Sequence, residues 1–295
     1  MVWDTCKIAL HNPSGGVFYT NDIVTGFVIL DVREDFEVKQ IDFKVKGISK
    51  ASWTRSSPTA PFIRKYSEKR EVFSVTVDVF GDLKGTIIES GIFTRPFNFF
   101  LPPDLPSSYE DSIAKVYYKI KISCKSFFKT VCTLTVTNKV DLNNFDEYKA
   151  PVSYEMIKKV GKYGNFSMLF KTYKAFAARQ LIPFEAILSN EPQIKVRKIK
   201  VYLIKKMEYN VSSGYNTAEK TLCKSGYDNV LHVVSQSCCF DMEIPQDVMP
   251  STIRMDDLMV SISYSLRVKV SFLFYLPLVV DIPVAIASVP VAYNT

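Results

Sequence analysis

Few side chains in this chain have the types and spacing that catalysis requires. His11 and His232 are the two histidines, and neither has another histidine, a cysteine or a carboxylate at metal-ligand spacing. The sequence contains no nucleophile elbow, phosphate-binding loop or dinucleotide-binding glycine pattern. It therefore predicts a protein that is not an enzyme, with no catalytic residue, no metal site and no cofactor.

The cysteines offer a second chemistry, which is thiol exchange. Six cysteines occur without a disulfide framework spacing, and Cys238 and Cys239 are adjacent without a basic neighbour that would lower a thiol pKa. Because no secretory leader is visible, we expect a reducing compartment and free thiols. A thiol-based redox regulator that uses Cys238 or Cys239 remains an alternative function.

Lysines form the more informative pattern. Lys44, Lys46, Lys119 and Lys121 alternate with apolar residues, and Lys7 lies in the first strand-like segment. Side chains alternate between the two faces of a strand, so these lysines occupy polar faces, and they line one surface if their strands share a sheet. Such a surface suits an acidic or phosphorylated cargo tail. The competing interpretation is a solvated sheet whose lysines discourage edge-to-edge pairing.

Two further segments are candidates for partner binding. A basic group suited to an anionic membrane surface comprises Lys195, Arg197, Lys198 and Lys200. An extended proline-rich ligand for the endosomal sorting machinery is predicted in an exposed loop over 56–62, at Pro58, Thr59, Ala60 and Pro61. The net charge of +7 selects no partner class by itself, and nucleic acid is not among the expected partners.

The elements that position these residues are predominantly β-strands. Alternation of polar and apolar residues, typical of half-buried strands in sandwiches, extends over 41–46, 72–77, 118–122, 131–140, 198–205 and 258–270. The best helical candidate is 153–160, within a linker expected at 141–160. The apolar run 272–280 contains Pro277 and is too short to cross a membrane, so we interpret it as one or two buried strands of a soluble protein.

The chain also contains an internal repeat. Segment 38–45 recurs at 196–203, and 22–30 recurs at 180–188 with the same offset. A period this long indicates a duplicated domain, because solenoid repeats are only about 20–50 residues long. We therefore predict an all-β fold of two tandem antiparallel β-sandwiches, immunoglobulin-like in type, over residues 1–147 and 148–295.

Several further segments of the chain resemble motifs of the arrestin family. Residues 96–109 (PFNFFLPPDLPSSY) are similar to its F-x-F-x-L-P-x-x-L-P-S-S-[FY] motif, and VFYTNDIVTGFV precedes them at 17–28. Ile182-Pro183-Phe184-Glu185 stands where the family shows V-P-G-E, so the glycine is missing here. Segment 89–95 leaves no room for the amphipathic helix of visual and β-arrestins, and 250–257 is short where they carry an acidic loop. The resemblance is therefore to the arrestin domain-containing (α-arrestin) branch.

This resemblance implies arrestin-type sandwiches and a cytoplasmic adaptor, peripheral at the plasma membrane or endosomes. Such an adaptor recognises cytosolic tails of membrane cargo, receptors or transporters, and links them to ubiquitination, endocytosis and endosomal sorting. A HECT-type ubiquitin ligase is an expected partner only if a tail with P-P-x-Y lies beyond Thr295, since Pro102-Pro103-Asp104 is followed by Leu105. A retromer-type trafficking subunit of arrestin fold, bound constitutively to a large partner, is the other alternative.

Overall fold

A computed structural model describes residues 3–11, 16–57, 60–124, 128–162, 164–191, 194–228, 235–253 and 257–293. The chain forms two compact units. The first comprises Met1–Lys139, Tyr209–Tyr215 and Asp256–Met259, and the second comprises Val140–Glu208, Asn216–Met255 and Val260–Thr295. The contacts thus divide at 139/140, slightly before the division predicted at 147/148. Val140 and Leu142 belong to the second unit because they are buried in its apolar cluster with Ala175 and Val291.

The first unit is built from two main sheets. Its strands are β1 (Trp3–Leu10), β2 (Val17–Tyr19), β3 (Ile23–Val32), β4 (Phe36–Glu37), β5 (Ile41–Ser57), β6 (Ala60–Val77), β7 (Ile87–Ile88), β8 (Gly91–Phe100), β9 (Tyr109–Glu110), β10 (Ala114–Cys124) and β11 (Phe128–Thr137). A short 3-10 helix spans Gly81–Leu83. One sheet has the order β1-β3-β8, and the other has the order β2-β11-β10-β5-β6 with β9 beside β10. β4 and β7 form a separate pair.

The core of the first unit lies between these sheets. Val28 and Leu30 of β3 are fully buried, as are Val45 of β5 and Ile120 of β10. The rings of Phe43 in one sheet and Phe97 in the other are 4.8 Å apart. Because alternate residues of each strand enter this core, the intervening residues are left on the outer faces.

The second unit contains one short helix and the remaining strands, except for residues 209–215 of two of these strands, which belong to the first unit. They are α1 (Asp146–Lys149), β12 (Val152–Lys159), β13 (Asn165–Thr172), β14 (Ala175–Ala177), β15 (Leu181–Asn190), β16 (Val196–Val211), β17 (Gly214–Tyr227), β18 (Ser235–Glu243), β19 (Val260–Phe272) and β20 (Leu278–Ala287). The sheet orders are β12-β13-β15-β18 and β14-β20-β19-β16-β17. Phe166 of the first sheet packs edge-on against Phe272 of the second at 5.0 Å. No helix in the described ranges is long and apolar enough to span a bilayer.

Two local predictions are wrong in this unit. The helical candidate 153–160 is almost entirely strand β12, which pairs along its length with β13. Cross-strand hydrogen bonding of a segment with alternating burial overrides a weak local helix preference. The run 272–280 is not buried throughout, because β19 ends at Phe272 and β20 begins at Leu278. Its middle part, 273–277, connects the two strands.

The two units repeat one plan. The orders β2-β11-β10-β5-β6 and β14-β20-β19-β16-β17 correspond strand by strand, and each begins with a parallel pair. Two equivalent buried tyrosines close the turns before β10 and β19: Tyr118 donates to the Pro106 carbonyl at 2.5 Å, and Tyr264 donates to the Met249 carbonyl at 2.7 Å. The prediction of an all-β fold with two tandem β-sandwiches is confirmed.

Ser108 and Ser251, which lie in the turns before β10 and β19, also have equivalent structural roles. Ser108 Oγ accepts the Val136 amide at 2.9 Å, and Ser251 Oγ accepts the Ile286 amide at 2.8 Å. The backbone of each serine returns a hydrogen bond to the same strand residue. Each serine therefore holds its turn against the neighbouring strand by two hydrogen bonds.

Candidate functional site

Strands β5 and β10 bring four of the predicted lysines onto one surface of the first unit. In their antiparallel register Lys119 lies opposite Lys46, and Lys121 lies opposite Lys44. The intervening side chains are buried, so the lysines occupy the outer face of the sheet. We call Lys44, Lys46, Lys119 and Lys121 the lysine face.

The pairing of like charges in this face is unfavourable for folding. Directly opposed like charges on neighbouring strands destabilise a sheet. Two acids relieve part of the repulsion: Glu71 Oε2 lies 2.5 Å from Lys46 Nζ, and Asp42 Oδ2 lies 3.8 Å from Lys44 Nζ. The hydrogen bond from Lys46 is the main reason that the pKa of Glu71 is lowered. Among the described residues, Lys119 and Lys121 have no ion-pair partner.

The lysine face borders a shallow concavity of about 850 Å³. Its wall adds two lysines outside the predicted group, Lys69 of β6 and Lys129 of β11. Lys129 has the same strand parity as Val131 and Thr133, which lie opposite Lys121 and Lys119, so the β10–β11 pairing is the signal that identifies it. The complete lining is Lys44, Lys46, Ile48, Lys69, Glu71, Ser74, Thr76, Tyr117, Lys119, Lys121, Lys129 and Val131.

Tyr117 gives this concavity an aromatic wall. The ammonium group of Lys119 lies 4.8 Å from the centre of its ring, within the range of a cation–π contact. Flat and cationic surfaces together can hold an extended anionic segment by charge-assisted hydrogen bonds to the lysines and by contact with the ring.

Lys7 does not belong to the lysine face. It is exposed on β1, opposite Ile29 of β3, and therefore lies in the other sheet of the first unit. The condition for one surface of five lysines, that their strands share a sheet, is therefore met by the other four and not by Lys7. Residue alternation identifies the outward face of a strand but does not identify the sheet that the strand joins.

The predicted membrane-facing group is not arranged as one uniform surface. Lys195, which precedes β16, and Arg197 are exposed, whereas Lys198 and Lys200 are half-buried. The regular alternation fails here, since Arg197 and Lys198 both lie between the buried residues Val196 and Ile199. A membrane-facing role of the four residues stays a prediction.

The proline-rich candidate falls mainly outside the described residues. Pro58 and Thr59 are not described, and of Ala60 and Pro61 only the backbone is, at the start of β6. Ser57 pairs with Ala60, so the predicted loop 56–62 is reduced to the end of the long β5–β6 hairpin. Binding of this segment to the sorting machinery stays a prediction.

The cysteines and His11 occupy ordinary structural environments. All six cysteines are free, with Cys238 buried and Cys239 exposed on β18. Burial, and then the neighbouring Cys239, raise the pKa of Cys238, which disfavours its reactive thiolate. His11 Nδ1 lies 3.2 Å from Thr25 Oγ1, and its ring packs edge-on against Phe27. His232 lies outside the described residues. In the described part of the chain, no three His, Cys, Asp or Glu residues are grouped as a metal site.

A separate polar cluster of the first unit was not apparent from the sequence. Asp111 accepts hydrogen bonds from the hydroxyls of Tyr109, at 2.6 Å, and Tyr209. Burial opposes ionisation of Asp111, but these two hydrogen bonds lower its pKa. The same carboxylate accepts the amides of Ile113 and Ala114. The cluster thus stabilises the turn that leads into β10, and with it the position of the lysine face.

Comparison with known proteins agrees with this geometry. The family model described as "Arrestin (or S-antigen), N-terminal domain" matches residues 6–143, and "Arrestin (or S-antigen), C-terminal domain" matches residues 172–291. A curated relative, arrestin domain-containing protein 17 of Caenorhabditis elegans, is 28% identical over 130 residues. The aligned part covers 41% of this chain and 30% of that protein, so the chain spans less than a third of the relative that it matches. The two matched domains, in this order, show that the chain belongs to the arrestin family, and the curated relative supports its arrestin domain-containing branch.

Proposed function

We propose that this protein is a non-enzymatic adaptor that binds acidic or phosphorylated cytosolic tails of membrane proteins through the lysine face. The observation that carries the proposal is the register that places Lys46 opposite Lys119 and Lys44 opposite Lys121. An arrangement that costs folding free energy is consistent with selection for a bound anion. An anionic ligand on this face would remove the repulsion and make charge-assisted hydrogen bonds.

The shape of the surface supports an extended ligand. The concavity follows three neighbouring strands, β6, β5 and β10, and reaches Lys129 on β11. Six lysines and one glutamate line it, so the lining has a clear positive excess. A tail with several phosphates or carboxylates can therefore contact lysines of more than one strand at once.

In this proposal the adaptor works in the cytoplasm, at the plasma membrane or endosomes, and links its cargo to ubiquitination, endocytosis and endosomal sorting. Recruitment of a HECT-type ubiquitin ligase requires a P-P-x-Y motif beyond Thr295. The internal Pro102-Pro103 pair does not supply one: Leu105, at the tyrosine position, is buried, and its carbonyl accepts a hydrogen bond from Asn138. That segment stabilises the first unit.

The test compares two charge reversals of equal size. Lys119→Glu/Lys121→Glu changes the lysine face, and Lys220→Glu/Lys224→Glu changes exposed lysines of β17 in the other unit. Binding of a multiply phosphorylated tail peptide is measured by fluorescence anisotropy at low and raised salt. Loss of two charge-assisted contacts predicts a Kd raised by at least about tenfold for the first variant. The control variant is expected to keep its affinity within about twofold, because its lysines lie outside the face.

The result that contradicts the proposal is equal binding by both variants. A salt-independent affinity would do so as well, because contacts between exposed charges are screened beyond a Debye length of about 8 Å at physiological ionic strength. The unphosphorylated peptide serves as a second control and is expected to bind more weakly to the wild-type protein.

A further inference from the structure

Strand β12 of the second unit lies at the edge of its sheet. It pairs with β13 on one side, and no described strand pairs with its other side. The register with β13 is regular from Val152 to Lys159. An edge strand presents a row of main-chain amides and carbonyls that another strand can bind. The free side of β12 is therefore a candidate interaction surface.

The turn after β12 shows which main-chain groups point to this free side. The amide of Val160 donates to the Gly164 carbonyl at 3.0 Å, in the same register as the pairing of β12 with β13. Successive residues of an antiparallel strand direct these groups alternately to its two sides, so the even-numbered residues of β12 bond to β13. The amides and carbonyls that point to the free edge belong to Ser153, Glu155, Ile157 and Lys159.

The same four residues carry exposed side chains. These side chains lie on the outer face of the sheet, since Met156 between them is buried in the core. Ile157 is 59% exposed, and Glu155 and Lys159 lie two positions before and after it. An acid, a large apolar residue and a base thus follow one another along one strand face.

Other sheet edges of the protein have features that discourage pairing with a further strand. β8 contains Pro96, which has no amide hydrogen to donate, and the register of β1 shifts between Trp3 and Thr5. At β18, the Asp241 carbonyl accepts the hydroxyl of Ser225. Prolines, irregular registers and covered edges are means by which sheets avoid association. β12 has no proline and a regular register.

The order of its side chains makes the β12 edge complementary to itself. In an antiparallel pair of two β12 strands centred on Ile157, Glu155 of each copy lies opposite Lys159 of the other. The residues at these opposed positions are also the ones whose amides and carbonyls face the edge, so hydrogen bonds and charges favour the same register. Registers centred on Glu155 or on Lys159 would place like charges opposite each other.

We propose that the protein forms a homodimer in which two β12 strands pair in this register and join the two four-stranded sheets into one continuous sheet. The charge order favours a second copy of this chain over an unrelated strand, because both ion pairs arise from one self-complementary sequence. A single strand pair is smaller than a standard interface of about 1,200–2,000 Å², so we expect a reversible dimer with a Kd in the micromolar range. The inference goes beyond the proposed function and makes no use of the lysine face.

The experiment measures the Kd of the dimer by sedimentation equilibrium of the purified protein. Glu155→Lys and Lys159→Glu each place like charges opposite each other, and the two-fold axis makes one substitution change both pairs. We expect each variant to raise the Kd at least about tenfold. The matched control is Glu243→Lys, at the exposed end of β18 on the opposite edge of the same sheet, which keeps the wild-type Kd.

Combining the two substitutions tests the register. The double variant Glu155→Lys/Lys159→Glu places opposite charges together again and should return the Kd to within about threefold of wild type. An equal mixture of the two single variants should form a heterodimer for the same reason, at a concentration where each variant alone is a monomer.

Ile157→Pro tests the main-chain hydrogen bonds. The amide of Ile157 points to the free edge, so proline removes a hydrogen bond of the dimer and none between β12 and β13. We expect this variant to remain monomeric. Urea denaturation of each variant shows that the fold is retained.

A wild-type protein that stays monomeric throughout the micromolar range overturns the inference. A Kd that is unchanged in both single charge variants also overturns it, because the contact then lies elsewhere, and so does a mixture that forms no heterodimer. Peptide binding at the lysine face is measured separately, so failure of this inference is distinguishable from failure of the proposed function.

Discussion

Replacement of Lys121 by glutamate should strengthen the fold and weaken ligand binding at the same time. Lys121 lies opposite Lys44 on β5 and opposite Val131 on β11. The substitution converts a like-charge pair into an opposite-charge pair without disturbing a described ion pair of Lys121. The expected changes in stability and in affinity thus have opposite signs.

The size of the gain follows from the exposure of the pair. A favourable cross-strand charge pair contributes about 0.2–1 kcal/mol, and removal of the repulsion adds a similar amount. Lys44 is 44% exposed and already lies 3.8 Å from Asp42, so solvent and this acid reduce the effect. We expect a rise of about 0.3–1 kcal/mol in the free energy of unfolding of the first unit, or about 1–4 °C in Tm.

Urea denaturation at low and high salt is the assay. The midpoint should rise at an unchanged m-value, and the gain should disappear at high salt because the charges are exposed. Lys121→Gln, which removes the repulsion without adding attraction, should fall between wild type and Lys121→Glu. A loss of stability in Lys121→Glu, or a gain that persists at high salt, would refute the argument from register. The same protein should bind the phosphorylated peptide more weakly.

Three further predictions concern the scaffold. Tyr118→Phe and Tyr264→Phe each leave a main-chain carbonyl without its hydrogen-bond donor, so each should lower the free energy of unfolding by about 1–3 kcal/mol in urea denaturation. A loss below about 0.5 kcal/mol in both variants would show that these hydrogen bonds do not stabilise the turns. Glu68 has its pKa lowered from 4.5 to about 2, chiefly by its hydrogen bond from Arg70. Because the folded pKa lies below the unfolded one, its contribution is complete above pH 4.5 and is lost as the pH falls towards 2. Between pH 4.5 and pH 2, the free energy of unfolding should therefore fall less steeply with falling pH in Glu68→Gln than in the wild-type protein. Parallel curves of the two proteins would exclude this contribution of Glu68. Gly47→Ala would place a Cβ 2.5 Å from the ring of Tyr118 and should destabilise the first unit by about 1–3 kcal/mol, measured as a lower Tm; an unchanged Tm would show that the ring moves freely.

The candidate site could be predicted in part from alternation. A period of two follows from the pleat of a strand, so the outward positions of Lys44, Lys46, Lys119 and Lys121 were readable from their buried neighbours. Which strands lie side by side in a sheet could not be predicted from the sequence in the same way. Lys7 has a similar local pattern but lies in the other sheet. Lys129 lines the concavity because β11 pairs with β10. Pairing depends on contacts between residues that are distant in the chain.

The sequence by itself determined the duplicated strand plan of this protein. Segments 22–30 and 180–188, which match at a constant offset, lie largely within β3 and β15, because equivalent apolar patterns bury equivalent faces. Only the tertiary structure decided the register of the lysine pairs and the exposure of the connection 273–277. Hydrophobicity predicts the free energy gained if a side chain is buried, but burial itself requires a covering element. Which element covers a side chain is settled by the packing of the whole fold, and at Phe274 the described residues provide none.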